Sequence, residues 1–127
     1  MKNKLVKKEK RLIKQEWKNI AFNLAFAFLT LAAAIVFYKN ILLATLVLAI
    51  ITLLGMLKWK SWLTLCIFIS TAIWGPVSEI IAIYFGAWQY PFVNVFNIPL
   101  WLFFVWGNAG VFIYQTSIEI RKLGVKK

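Results

Sequence analysis

The sequence predicts an all-α fold: an integral membrane bundle of four transmembrane helices, preceded by a basic amphipathic segment. Three observations lead there. Of the 127 residues, 62% are hydrophobic and 17% aromatic, against about 45–50% apolar in ordinary soluble domains. The apolar residues gather into four runs, at 20–38, 41–57, 62–85 and 99–120, each near the roughly 20 residues that one bilayer crossing takes. The basic residues lie almost entirely between or beside those runs, where they act as topology signals and meet anionic headgroups.

Residues 1–19 form a basic arm. Lys2, Lys4, Lys7, Lys8, Lys10, Arg11, Lys14 and Lys18 outnumber Glu9 and Glu16. Leu5, Leu12, Ile13 and Trp17 add a modest apolar stripe at helical spacing, which predicts a helix that lies on the inner leaflet or extends the first span. The first run contains Ala32-Ala33-Ala34, but Ile35-Val36-Phe37 follows it rather than a polar segment, so the run is read as an uncleaved anchor. Lys39-Asn40 is short enough for a helical hairpin into the second run. Lys58-Trp59-Lys60-Ser61 is a basic turn that leads into the third.

The third run holds Pro76, which lacks a backbone donor and is expected to kink the helix. An uncharged aromatic loop from Gly86 to Ile98 follows. Pro99 then opens the fourth run, in keeping with the preference for proline in a helix's first turn. A basic tail, 121–127, ends the sequence. Of the 15 Lys and Arg, 8 are in the arm, 2 in the turn between the second and third runs, and 4 in the tail, with Lys39 alone on the opposite side. The positive-inside rule then puts both termini in the cytoplasm and the protein in the cell membrane.

The charge and residue inventory also narrows function. A net charge of +11 would suit a nucleic-acid binder, but its confinement to the flanks of apolar runs argues for lipid, and no nucleic-acid partner is expected. With no histidine and one cysteine, the usual metal and haem ligand sets are missing, so no metal or cofactor is expected. Cys66 is read as a small buried hydrophobe.

One acid stands out. Glu79 lies within an apolar run, and a carboxyl there is costly, about 2.5–3.5 kcal/mol on insertion scales for a central Asp. Thr71, Gly75, Glu79, Ala82 and Gly86 are separated by four, four, three and four residues, forming a stripe of small side chains with a single acid. Such stripes let helices approach closely, so Glu79 is expected to face a helix interface. In the fourth run, Trp101, Asn108, Gln115 and Glu119 recur at seven, seven and four, a second inward seam. Asn108 reaches the depth of Glu79 and is expected to pair with it. Trp88, Gln89 and Tyr90 lie just outside Glu79, either as an interfacial belt or as the roof of a ligand pocket.

Glu79, then Gly86-x-Trp88-x-Tyr90, then Ile98-Pro99-Leu100 before an aromatic-rich helix, resembles the membrane-embedded lycopene cyclase domains of carotenoid biosynthesis across residues 74–107. Those domains carry Pro-Leu-Glu-Glu where this chain has Pro99-Leu100-Trp101-Leu102. Ile98-Pro99-Leu100-Trp101-Leu102 and Trp106-Gly107-Asn108-Ala109-Gly110 more closely resemble small uncharacterised multi-pass membrane proteins that share the tryptophan version. The resemblance carries over Glu79, Gly86, Trp88, Tyr90 and Pro99 as motif positions, without the cyclase activity.

The expected function is a lipid- or isoprenoid-binding protein or accessory membrane subunit, alone or as a homo-oligomer or part of a larger complex, with an intramembrane site around Glu79. In that site Trp88, Gln89, Tyr90, Trp101 and Asn108 would touch ligand, and Gly75, Pro76, Gly86 and Pro99 would shape the backbone. Two alternatives follow from the same residues. One is an enzyme in which Glu79 protonates a polyene or isoprenoid lipid. The other is a dimeric proton-coupled transporter.

Overall fold

The computed structural model describes residues 2–124; Lys126 and Lys127 of the basic tail lie outside them. Its architecture is four helices, α1 (Lys2–Phe37), α2 (Ile41–Trp59), α3 (Trp62–Tyr84) and α4 (Leu102–Lys122). There is no strand among the described residues, only an isolated bridge between Val95 and Ile98 in the α3–α4 loop.

Local chemistry sets the helix ends. α1 contains neither glycine nor proline, so nothing in its sequence interrupts it, and the basic arm continues directly into the first apolar run as one 36-residue helix. Asn40 caps α2, its side chain accepting from the Leu43 N–H at 3.1 Å. Lys60 leaves α2 in the left-handed region (φ 48°), and Ser61 caps α3 by accepting from Thr64 N–H at 3.2 Å. Lys58 and Trp59 therefore belong to α2, and the predicted four-residue turn shrinks to two. α3 runs on through Pro76, which is fully buried.

The start of α4 departs from expectation. Pro99 does not open the helix; α4 begins at Leu102. Ile98 is tied to Val95 by backbone hydrogen bonds of 2.8 and 3.0 Å, and Leu100 N–H donates to the Asn94 side chain at 2.9 Å. The backbone around Pro99 thus belongs to the loop. Three-residue turns from Pro99, Leu100 and Trp101 tighten it into the helix.

The distribution of polarity is inverted relative to a soluble protein. Asn23, Thr30, Thr52, Thr64, Glu79, Asn108, Gln115 and Glu119 are buried, while large apolar side chains such as Phe28, Ile35, Leu42, Trp62 and Trp74 are exposed. In water this arrangement would forfeit the hydrophobic effect and bury polar groups at once. α1, α2 and α3 are long and apolar enough to cross a membrane. α4, at 21 residues, carries Asn108, Gln115 and Glu119 on its buried face. Cys66, expected to be buried, is exposed on α3.

α4 touches all three other helices and packs most extensively on α3. Small residues set that approach: Gly75 lies against the Trp106 ring, Gly107 against the Phe68 ring, and Gly110 against Thr71. An apolar cluster of Ala33, Ala34, Ala44, Leu48, Ile98, Trp101 and Leu102 closes the bundle where the α1–α2 hairpin meets the entry to α4.

Candidate functional site

Glu79 lies on the buried face of α3, one turn beyond Gly75. Because Gly75 has no side chain, the indole of Trp106 fits against α3 and aims Nε1 at the carboxyl, donating to Glu79 Oε2 at 2.6 Å. The other carboxyl oxygen, Oε1, accepts from the hydroxyl of Tyr90. Tyr90 arrives by a defined path. Gly86 (φ 79°) ends α3 in a left-handed turn, with Gly86 N–H bonded to Ile83 C=O and Ala87 N–H to Ala82 C=O, both at 2.9 Å. That turn reverses the chain and brings the loop back over the helix end.

Burial, and then the hydrogen bond and charge of Glu79, hold the Tyr90 phenol well above the usual tyrosine range. Tyr90 therefore remains a protonated donor throughout the physiological range. The Trp101 ring meets Tyr90 edge-on at 6.2 Å between centroids. Trp101 is itself buried, and among the described residues its Nε1 has no hydrogen-bond partner.

Asn108 does not pair with Glu79. Its Oδ1 accepts from the Thr52 hydroxyl at 2.8 Å and its Nδ2 donates to the Thr30 hydroxyl at 3.1 Å, joining α4 to α2 and α1. The physical reason is angular: Trp106 and Asn108 are two residues apart, which puts them on nearly opposite sides of α4. Further along the seam, Gln115 Nε2 donates to Thr64 on α3 at 2.7 Å, and Glu119 accepts from Asn19 on α1 at 3.3 Å. The four seam residues are all buried, but between them they serve the α3–α4 loop and three different helices.

Of the ligand-contact candidates, only Tyr90 meets Glu79, with Trp101 one ring further away. Trp88 is half exposed and Gln89 is exposed, both outside the cluster. Pro99 is fully buried beside the Ile98–Leu102 entry to α4. Sequence reasoning missed Trp106. Its available signal was Gly75, a gap on the same stripe as Glu79 that requires a large side chain opposite. A separate, almost wholly apolar crevice of about 190 Å³ opens between α1 and α4, walled by Ala27, Leu31, Val105 and Phe112, with the mutually bonded Thr30 and Asn108 at its base. No family model, curated protein or solved structure matches the chain.

Proposed function

We propose that this protein is a four-span cell-membrane protein with both termini in the cytoplasm, acting as a lipid-binding or accessory subunit rather than as a catalyst. The observation that carries this reading is the occupancy of Glu79: both carboxyl oxygens are taken by donors of the protein itself, Trp106 and Tyr90. The acid thereby fastens α3, α4 and the outer loop to one another. α4 as a fourth span is supported by its contacts with the three apolar helices and by its length, about 31 Å at about 1.5 Å per residue. The α1–α4 crevice is smaller than the roughly 300–1,000 Å³ of ordinary ligand pockets. It suits a segment of an acyl or isoprenoid chain, with Thr30 and Asn108 beneath it.

Orientation is tested with reporters. One fused after Lys127 is expected on the cytoplasmic side and one inserted near Val93 outside; the opposite pattern would overturn the charge argument.

A second reading is favoured by one specific feature. An acid in hydrocarbon needs a route that returns its proton, and Tyr90, hydrogen-bonded to Glu79 from the loop, would pass its proton to the carboxylate as it takes another from the aqueous side. Such a pair suits protonation of a polyene or isoprenoid double bond. Glu79→Gln separates the two readings. The amide of this variant would accept from Trp106 through its oxygen and donate to the Tyr90 oxygen, so the fold is retained while the titratable proton is lost. Lipid and pigment extracts of cells carrying either version are expected to be identical. A changed extract from a folded, inserted variant would replace the accessory reading with catalysis.

A further inference from the structure

The arm of α1 carries a feature that membrane anchoring leaves unused. Lys4, Lys7, Arg11, Lys14 and Lys18 recur at three, four, three and four residues, so they form one straight stripe along the helix. All five are exposed. Lys4, Lys7, Lys8 and Arg11 line a common hollow of about 280 Å³. The arm's acids point elsewhere: Glu9 and Glu16, with Leu12 and Ile13, line a hollow on another side together with Lys122 and Leu123 at the end of α4. Among the described residues the one ion pair is Lys122–Glu119, at 3.6 Å, so the stripe has no internal counter-charge.

The length of α1 decides what the stripe can reach. The hydrocarbon core is about 30 Å thick, and about 1.5 Å per residue counted back from Phe37 brings the boundary close to Lys18. Arg11, Lys7 and Lys4 then stand about 10, 16 and 21 Å further along the axis. Attraction to headgroups fades within a Debye length of about 8 Å. The headgroup layer adds about 5–7 Å to each face, so with no glycine or proline to bend the arm, Lys18, Lys14 and Arg11 lie within reach of the lipid surface while Lys7 and Lys4 stand beyond it. A second copy of the arm presents the same positive stripe and is repelled. Trp17 is the arm's one aromatic side chain, too few for a row of stacked nucleic-acid bases.

We propose that this stripe docks an acidic helix of a partner protein, lying alongside the arm with carboxylates repeating at the same three- and four-residue spacing. The proposal rests on α1 crossing the bilayer, which the topology reporters test separately. The experiment uses the full chain in phosphatidylcholine nanodiscs and two labelled synthetic helical peptides of identical composition. One has its glutamates in a three–four stripe; the other has them spread around the helix. The striped peptide is expected to bind more tightly, and more weakly as salt rises. Lys7→Gln with Arg11→Gln should weaken it about three- to tenfold, whereas Lys2→Gln with Lys122→Gln, an equal loss of charge off the stripe, should change it less than about twofold. Equal binding of the two peptides, or equal loss from the two variant pairs, would overturn the proposal. So would loss of binding when phosphatidylserine is added to the discs, or preference for a single-stranded RNA over the striped peptide.

Discussion

Gly75→Ala is expected to destabilise the bundle by about 1–3 kcal/mol, the range for overpacking a well-filled interior. Exchanging glycine for alanine inside a helix usually helps by about 1 kcal/mol, so the sign depends on what the new methyl meets. It meets the Trp106 ring near the root of the side chain, at the fused part of the indole, where no flexible end can swing aside. The ring must move, and with it the Nε1 that donates to Glu79. Overpacking therefore outweighs propensity. The measurement is denaturant unfolding of purified protein in mixed micelles, followed by circular dichroism, in wild-type and Trp106→Ala backgrounds. The penalty should largely vanish once the ring is gone; an identical penalty in both backgrounds would show that Gly75 acts on something else.

Asn108→Leu should cost about 1–2 kcal/mol in the same assay. Interhelical hydrogen bonds in membrane proteins average about 0.6 kcal/mol and reach about 1.7, and Asn108 makes two, to Thr52 and Thr30. The threonines limit the damage. Thr30 donates to the Phe26 carbonyl one turn back on its own helix, and the single Thr52 hydroxyl proton is shared between Asn108 Oδ1 and the Leu48 carbonyl, both carbonyls lying at 2.9 Å. Their donors stay partnered when Asn108 is removed, and only the bonds between helices are lost. Thr30→Val and Thr52→Val should each cost less than Asn108→Leu, and neither should add fully to it. Full additivity would mean that the three side chains do not act as one junction.

Helix existence is legible in the sequence because two strong signals agree: apolar runs of spanning length and charges confined to their flanks. The inward direction of Glu79 and of the Trp101–Asn108–Gln115–Glu119 seam is legible for a similar reason, since spacings of three, four and seven residues fix a shared side of a helix. Such spacing ranks residues by angle on their own helix, but it does not say which neighbour fills the space opposite. That is why spacing pairs Asn108 with Glu79 when Trp106 holds the position. The approach of Tyr90 is equally out of reach, because it depends on a loop whose path turns through left-handed residues at Gly86, Phe96 and Asn97. Phe96 carries no turn signal in its side chain. The delayed start of α4 has the same origin: Pro99 favours a helical first turn, and the Asn94 side chain and the Val95–Ile98 bridge overrule it.

The order in which the chain is made gives the position of α4 a meaning for assembly. Thr30, Thr52, Thr64 and Glu79 all belong to helices synthesised first, and each finds a partner on the last one. Until α4 is made, Glu79 lacks its Trp106 donor and the three threonines lack their partners on α4. Docking of α4 therefore completes the polar junctions of the three earlier helices together, and a chain truncated before Leu102 would leave those side chains unmet.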